Sequence, residues 1–355
     1  MLKSSQEVPE RLKYFNRNSN SITSQDKATT STPYHLILET FDVKTLYTKI
    51  EHNDLFSKLQ ALFTQLDKME NNRGTLVGRK GTHFQLLRGN IVDSGKQKWE
   101  KVYSLDDLLQ MINFLINNTY ITLADSCWKQ AIGIPMGTNC GVNLVDFYLT
   151  KYELDFMVQL KQGNHWELLR IFCNTMRYLD DILAIDNPLF VKLLYTDCQH
   201  EGIKGIYPRG ALTIERVSRA EKVQYMDASI SRYSGDSKHY MDGKLFTRTF
   251  DKRRFGKFAH LNLLRYTAAE SLILPSVGLN IITTQMHRFV KLDMRLSDFV
   301  NDTVQTFYDL IHSGFDRINL LSKIRRFLLT FKSRLLYGVT PIYIYRLLLR
   351  KLKWS

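Results

Sequence analysis

Two adjacent carboxylates, Asp180 and Asp181, interrupt a run of residues that otherwise predicts buried β-strand. The run is Met176-Arg-Tyr-Leu-Asp-Asp-Ile-Leu-Ala-Ile185, with apolar residues on both sides of the pair. Ionised carboxylates between apolar strands need a compensating cation or hydrogen bonds, because burying an isolated charge is costly. A hairpin turn that holds divalent metal supplies this compensation. The pair therefore indicates a chemical role, although a solvated turn explains most isolated Asp-Asp pairs.

Two further segments carry residue types that suit such a site. In the first, an apolar strand beginning near His35 delivers Asp42 at its end, and Tyr47 follows five residues later. In the second, the run Ile132–Gly141 contains three glycines and one proline, and it leads into an apolar helix. This composition predicts a stiff turn with open backbone, which suits close approach to a flat ligand.

A strand-borne Asp, a glycine turn and a Tyr-x-Asp-Asp hairpin follow one another in the palm domain of reverse transcriptases. The chain resembles reverse transcriptases of the Penelope-like retroelement group from about residue 35 to about residue 320. The stretches that carry the resemblance, each followed by the family pattern, are Phe41–Thr48 (FDVxSLYTNIP), Gly133–Thr138 (GxPMGS), Arg177–Asp181 (RYxDD), Gln224–Ile230 (FLDLxI), Leu245–Arg253 (YxKxxD), and Pro275–Gly278 with Gln285–Phe289 (a Gly before Gln-x-x-Arg-[FY]).

The resemblance implies an RNA-directed DNA polymerase that uses two Mg²⁺ ions, or Mn²⁺ in their place. Its catalytic residues would be Asp42, Asp180 and Asp181, and the backbone carbonyl of Val43 would join them as a metal ligand. Nucleotidyl transfer by two ions roughly 3.5–4 Å apart needs carboxylates from at least two strands. Hard oxygen ligands suit Mg²⁺. We therefore expect neighbouring strands to bring Asp42 beside the Asp180–Asp181 pair.

Tyr47, by resemblance, is the residue beneath the sugar that excludes a 2′-hydroxyl, which implies dNTP substrates. A half-buried aromatic at a strand end is the alternative. Further residues expected at the template base and the incoming nucleotide are Gln130, Pro135, Met136, Gly137 and Tyr178. For Gln130, in Trp128-Lys-Gln130 where the family has Y-x-Q, an ordinary polar strand residue stays open. Thr138-Asn-Cys-Gly141 departs from the family's Ser-Pro-Leu-Ser-Pro.

A formal net charge of +14 and an isoelectric point near 9.5 favour a polyanionic partner over an acidic protein surface or a neutral metabolite. We expect an RNA template and a DNA primer. The basic residues expected to contact nucleic acid are Arg79, Lys80, Lys252, Arg253, Arg254, Arg325 and Arg326. Interleaved phenylalanines near residues 250–258 suit base contacts, and a solvated hairpin is the alternative for that cluster.

The periodicity predicts an α+β fold in which helix-backed antiparallel strands are followed by a helical bundle. The resemblance implies that these parts are a right-hand polymerase palm and a helical thumb. Expected helices cover about 54–69, 104–117, 142–160 and much of the chain from 281, and a hairpin covers 172–187. Expected strands cover about 119–124, 128–134, 211–216, 223–232 and 244–250. The predicted domains are a mobile arm (1–34), a palm with partial fingers (35–255) and a basic helical thumb (256–355).

About forty residues precede Asp42, which predicts truncated fingers, and no GIY-YIG endonuclease follows the thumb. A separate chain that supplies fingers or nuclease is therefore an open prediction. Two other functions stay open: a palm-derived nucleic-acid-binding protein with little or no catalysis, and an RNA-dependent RNA polymerase. A membrane-surface helix at 343–352 is the alternative to a thumb helix. Cysteines without finger spacing predict an intracellular protein with mostly buried thiols. The resemblance to retroelements implies a nuclear location, and the basic tail agrees with it.

Overall fold

The computed structural model describes residues 5–16, 37–69, 76–80, 83–87, 101–232, 244–251, 265–272, 274–330 and 337–353, with backbone alone for 76–80 and 83–87. The helices are α1 (8–16), α2 (His52–Met69), α3 (Leu105–Asn117), α4 (Gly141–Gln162), α5 (Trp166–Phe172), α6 (Pro275–Leu292), α7 (Leu296–His312), α8 (Arg317–Thr330) and α9 (Pro341–Lys351). The strands are β1 (Leu38–Val43), β2 (Leu76–Lys80), β3 (His83–Leu87), β4 (Lys101–Ser104), β5 (Tyr120–Leu123), β6 (Ser126–Lys129), β7 (Thr175–Tyr178), β8 (Asp181–Ile185), β9 (Gln199–His200), β10 (Ile203–Lys204), β11 (Ile214–Ala220), β12 (Lys222–Tyr225), β13 (Ala228–Arg232) and β14 (Leu245–Thr249).

The described chain is a mixture of helices and antiparallel sheets that divides into two compact units. The first unit is Phe41–Val217, and the second combines Leu2–Thr40 with Ser218–Ser355. The predicted α+β class therefore agrees with the observed elements. The second unit takes up β12, β13 and β14 as well as the carboxyl-terminal helices, whereas the sequence placed these strands in the palm.

The first unit is built around a four-stranded sheet in the order β11-β1-β8-β7. Helices α2 and α4 and strands β1 and β8 share one core, in which Leu59, Tyr148 and Ile182 are fully buried. The apolar runs predicted as strands on both sides of the carboxylate pair are β7 and β8, and they pair as an antiparallel hairpin. Burial of these runs fixes the position of the turn between them.

Several element boundaries in the first unit differ from the sequence prediction. The strand expected at 128–134 ends at Lys129, because the chain turns through the glycine run. Helix α5 and the short pair β9–β10 have no counterpart in the prediction. Helices α2, α3 and α4 each lie within about three residues of the predicted bounds. Their apolar periodicity, and the capping box of Ser104 and Asp107 at α3, explain that agreement.

The second unit packs helices α6 to α9 into a second core that includes Met286, Phe307 and Ile324. Its three-stranded antiparallel sheet has the order β12-β13-β14. The sequence predicted a single strand at 223–232. The structure instead turns at Met226, whose φ is +53°, and pairs Tyr225 with Ala228 across a hairpin.

Residues 5–16, which the sequence predicted as part of a mobile arm, are packed in the structure. Helix α1 buries Val8 and Leu12 completely. The Asn16 side-chain amide donates to the Leu245 carbonyl at 2.9 Å and accepts from the Leu245 amide at 2.9 Å. These two bonds extend the edge of β14, so this part of the arm is a packed element. Residues 17–36, which carry most of the Ser/Thr/Asn-rich composition, lie outside the described residues.

Two further observations concern the thiols and the hydropathy of the helices. Cys127 and Cys173 are exposed, and Cys140 and Cys198 are only partly buried, so the prediction of mostly buried thiols is wrong. Within the described ranges, none of the helices is both long and apolar enough to cross a membrane.

Asp293, at the end of α6, is a buried carboxylate with a perturbed proton affinity. It is 3% exposed, and its Oδ1 accepts from the backbone amide and the hydroxyl of Thr249 at 2.7 and 2.8 Å. Burial raises the pKa of Asp293 to about 7, and the negative charges of the buried Asp302 and Asp298 also raise it, against the lowering effect of Thr249. The folded protein therefore binds a proton that the unfolded chain releases near pH 4.

The raised pKa of Asp293 predicts a loss of stability as the pH rises through about 7. The stabilising contribution of the bound proton is complete below the unfolded-state pKa and disappears above the folded-state pKa. We expect Asp293→Asn to remove most of this dependence, because the amide oxygen still accepts from Thr249. The difference in the free energy of unfolding, Asp293→Asn minus the natural chain, should be more positive at pH 8 than at pH 5 by about 2 kcal/mol.

Denaturant unfolding of the full chain at pH 5, 6, 7 and 8 measures this difference. The matched control is Asp316→Asn, an exposed carboxylate in the same unit that caps α8 through the Asn319 amide at 2.8 Å. Asparagine keeps that cap, so the control should shift stability equally at all four pH values. Equal pH profiles for Asp293→Asn and the natural chain would refute the assignment.

Candidate active site

Strand β1 delivers Asp42 directly beside the turn that carries Asp180. The backbone amide of Val43 donates to the carbonyl oxygen of Asp180 at 3.0 Å. On the other side of β1, the amide of Lys44 donates to the carbonyl of Thr213 at 2.9 Å. These bonds make β1 the neighbour of both β8 and β11. The structure thus brings together two carboxylate-bearing segments that are remote in the sequence.

The turn between β7 and β8 is tight and strained. Tyr178 pairs with Asp181, which leaves Leu179 and Asp180 as the two residues of the hairpin loop. Leu179 has a φ of +51°, a left-handed conformation that is uncommon for residues other than glycine. Primed turns of this kind match the twist of the flanking strands. The conformation of Leu179 therefore sets the direction in which the chain presents Asp180.

The glycine turn packs against the segment that follows Asp42. The amide of Ile134 donates to the carbonyl of Tyr47 at 2.8 Å, and the amide of Gly133 donates to the carbonyl of Ile50 at 2.9 Å. Gly133 has a φ of +83°, and a Cβ placed there would lie 2.4 Å from the Tyr47 carbonyl oxygen. Only glycine allows this approach. The glycine turn therefore contacts Tyr47, in the segment that also carries Asp42 beside the Asp180 turn.

Tyr47 is half-buried near the carboxylates. Burial raises the pKa of the Tyr47 hydroxyl, and the negative charges of Asp180 and Asp146 and the neighbouring Tyr178 raise it further. The phenol is therefore neutral at physiological pH. The charge of Asp180 thus acts on the Tyr47 hydroxyl, and the role of Tyr47 beneath a nucleotide sugar stays a prediction.

The residues predicted to meet the base pair have different surroundings. Met136 is 68% exposed, and a Cβ at Gly137 would have no heavy atom within 4 Å, so this part of the turn is open. Pro135 is half-buried, and its carbonyl accepts from the Thr138 hydroxyl at 3.0 Å. The Gln130 amide donates to the Ile132 carbonyl at 3.0 Å. This bond is compatible with an ordinary polar residue, and contact of Gln130 with a base pair stays a prediction.

The carboxylates of Asp42, Asp180 and Asp181 offer the oxygen ligands that a hard divalent cation prefers. Asp42 is 24% exposed and forms an ion pair with Lys44. That bond raises the pKa of the Lys44 ammonium. Across the described part of the chain, no three His, Cys, Asp or Glu side chains are grouped closely enough to hold a metal ion. The residues thus provide carboxylates on neighbouring segments, and the ammonium of Lys44 compensates the charge of Asp42.

Only two of the seven basic residues predicted to bind nucleic acid have described side chains. Arg325 and Arg326 are exposed on α8, whose opposite face buries Leu321, Ile324 and Phe327. Arg79 and Lys80 belong to β2, where the structure describes the backbone alone, and 252–254 lie outside the described residues. Helix α8 is thus amphipathic, and nucleic-acid contact stays a prediction.

Sequence reasoning missed the acidic residues behind the turn. Asp146 and Glu153 lie on α4 and both bind Arg177, at the end of β7. With Thr150, they form a polar stripe with spacings of four and three residues along a mostly apolar helix. Residues at such spacings share one helical face. That polar face was the signal that could have identified them.

No protein-family model matches the chain, and no curated protein matches it. Similar solved structures are the apo telomerase of Candida tropicalis (13% identity, TM-score 0.46, 99% of this chain and 53% of that chain) and the telomerase of Candida albicans with the TWJ fragment of telomeric RNA (14% identity, TM-score 0.42, 99% and 54%). The chain spans about half the length of these telomerases. The likeness is one of low identity with TM-scores below 0.5, and it assigns no function to this chain. The Penelope-like assignment gains no support from it and stays a prediction.

Proposed function

We propose that the chain is an RNA-directed DNA polymerase that adds dNTPs to the 3′-hydroxyl of a DNA primer on an RNA template. One observation carries the proposal: the bond from the Val43 amide to the Asp180 carbonyl puts Asp42 beside the Tyr-x-Asp-Asp turn. The glycine turn adds Tyr47 to the same place through Ile134. Three motifs that are far apart in the sequence thus meet in one unit. A nuclear site of action belongs to the proposal.

Each residue has a defined part in the proposed reaction. Asp42, Asp180 and Asp181, with the Val43 carbonyl, would hold two Mg²⁺ ions. Such ions, when bound, lower the pKa of the attacking hydroxyl and stabilise the leaving pyrophosphate. Asp42 would exchange the Lys44 ammonium for metal, because both are cations that bind the same carboxylate. In the proposed reaction, the three carboxylates would also set the orientation of the primer 3′-hydroxyl for attack.

The decisive experiment is primer extension by the full chain on an RNA template with Mg²⁺. We expect extension with dNTPs and little extension with rNTPs. Extension on RNA supports the proposal. Efficient use of rNTPs alone would instead indicate an RNA polymerase. Template binding without any extension would overturn the polymerase proposal.

Tyr47→Ala tests the proposed contact with the sugar. Removing the ring opens the space that a 2′-hydroxyl would occupy, so the preference for dNTPs over rNTPs should fall about 10- to 100-fold. Single-nucleotide incorporation measured with matched dNTP and rNTP gives the ratio. Tyr47→Phe is the control, because it keeps the ring and should keep the preference. An unchanged ratio in Tyr47→Ala would show that the tyrosine does not sense the sugar.

A specific observation favours a second candidate, a nucleic-acid-binding protein that retains the palm without catalysis. Asp42 is paired with Lys44, and no three-residue ligand group exists among the described side chains. The formal charge of +14 suits binding in either case. For this candidate, template binding would be unaffected by Mg²⁺ and by substitution of Asp180.

A further inference from the structure

Arg177 is a deeply buried cation directly before the carboxylate-bearing turn. Its side chain is 3% exposed. Burying a guanidinium is costly unless every donor finds a partner. Its contacts are Nη1 to Asp146 Oδ1 at 2.9 Å, Nη1 to the Leu179 carbonyl at 3.3 Å, Nη2 to Thr150 Oγ1 and to Glu153 Oε2 at 3.3 Å each, and Nε to Glu153 Oε1. We call this set the Arg177 clamp.

The clamp is a rigid, charged connection between α4 and β7. Burial by itself would lower the pKa of Arg177, but the carboxylates of Glu153 and Asp146 raise it above its ordinary value, so the guanidinium stays charged. The hydroxyl of Tyr207 donates to Glu153 Oε1 at 2.7 Å. Burial raises the pKa of Tyr207 well above its usual value, so this donor keeps its proton. Each acidic partner thus has a fixed position and a compensated charge.

One contact of the clamp reaches the strained turn itself. Nη1 of Arg177 donates to the carbonyl of Leu179, the residue with a φ of +51°. A non-glycine residue in this conformation persists only where its surroundings hold it. The peptide that begins with this carbonyl ends at the amide of Asp180. The orientation of Asp180 is therefore coupled to Arg177 through a single peptide plane.

We propose that Arg177 is a positioning residue for the reaction proposed above. It holds the peptide between Leu179 and Asp180, and it engages Asp146 and Glu153 so that these carboxylates do not compete for cations beside Asp180. The inference rests on the proposed function for its catalytic consequence. The conformational part, control of the turn by Arg177, stands on the geometry alone.

Lysine cannot reproduce the clamp, although it preserves the charge. A guanidinium presents five donors in a planar fork, whereas an ammonium is a compact point charge. In Arg177, Nε and Nη2 both donate to Glu153. Nη1 donates to Asp146 and to the carbonyl of Leu179. In Arg177→Lys the buried charge keeps an acidic partner, and the carbonyl of Leu179 loses its donor. This conservative substitution separates positioning from simple charge balance.

Hydrogen–deuterium exchange of the full chain is the first test. In Arg177→Lys we expect faster exchange in peptides covering 176–185, with unchanged exchange in α7 of the second unit. The matched control is Lys151→Met on α4, which removes another buried cation, one paired with Asp155 and bonded to Gln65. The control should lower stability without faster exchange at the turn. Unchanged exchange at 176–185 in a folded Arg177→Lys overturns the proposal.

The Mg²⁺ dependence of primer extension is the second test. Loss of a residue that orients metal ligands typically lowers metal affinity 10- to 100-fold. We expect the half-saturating Mg²⁺ concentration to rise about tenfold in Arg177→Lys, with template–primer affinity unchanged, and to stay the same in Lys151→Met. A drop in extension without that shift would assign Arg177 a purely structural role and overturn the proposal.

A second variant keeps the inference testable if Arg177→Lys fails to fold. Asp146 is 21% exposed, so Asp146→Asn removes one charged partner at lower cost. This variant should also speed exchange at 176–185 and raise the half-saturating Mg²⁺ concentration, each by less than Arg177→Lys does. If the natural chain does not extend primers, the polymerase proposal fails, and the exchange data still decide whether Arg177 controls the turn.

Discussion

Asp180→Asn is expected to reduce primer extension by at least about 10³-fold, the scale seen when a group essential to catalysis is removed. Asparagine has nearly the same shape but lacks the negative charge that a divalent ion requires. The Val43 amide bonds to the backbone of Asp180, so this strand contact survives the substitution. Template–primer affinity should stay within about threefold, because the formal charge of +14 dominates binding.

The control for this variant is Asp186→Asn, which makes the same substitution directly after β8, at the opposite end from the turn. Asp186 has a φ of +49°, a conformation that asparagine tolerates well. Extension by this variant should equal that of the natural chain within about threefold. Single-turnover extension, together with equilibrium binding of a labelled template–primer, separates chemistry from binding. Extension by Asp180→Asn at the natural rate would refute the assigned role of this carboxylate.

Gly133→Ala is expected to destabilise the first unit by about 3 kcal/mol or more. The added Cβ would lie 2.4 Å from the Tyr47 carbonyl oxygen, a backbone atom that cannot move aside cheaply. The φ of +83° adds strain for any residue with a Cβ. For a unit of this size, such a loss lowers the melting temperature by about 6–12 °C. The variant should also displace Tyr47 and weaken the preference for dNTPs.

Gly137→Ala is the matched control within the same turn. A Cβ at Gly137 meets no heavy atom within 4 Å. Its melting temperature should therefore match that of the natural chain within about 2 °C. Calorimetry or circular dichroism of the two variants decides the prediction. Equal destabilisation by both substitutions would mean that turn flexibility in general, and no specific contact at Tyr47, sets the stability.

The sequence was most informative where the apolar periodicity agreed with the residues that mark the ends of helices and strands. The apolar periods of α2, α3 and α4 predicted helices close to their observed bounds. The paired carboxylates between apolar runs predicted the hairpin of β7 and β8. In each case local propensity and burial favour the same structure, so tertiary packing had nothing to override.

The sequence was misleading where a turn lacked the usual residues. Tyr225-Met-Asp-Ala228 contains neither glycine nor proline, and it was predicted as continuous strand. The structure bends it sharply at Met226, because the cross-strand pairing of β12 with β13 outweighs the local preference. Leu179, in the turn of the candidate site, is a second residue of this kind. Positive φ values at ordinary residues arise from long-range contacts that a sequence pattern does not encode.

The sequence by itself determined the candidates for site chemistry: the carboxylates Asp42, Asp180 and Asp181, the ring of Tyr47 and the glycines that permit close packing. Only the tertiary structure decided that β1 lies beside β8, that Gly133 packs on Tyr47, and that Arg177 is bonded to the Leu179 carbonyl. The physical reason is separation along the chain. Residue types and local periods are properties of short segments, whereas strand order and buried ion pairs depend on which remote segments share a core.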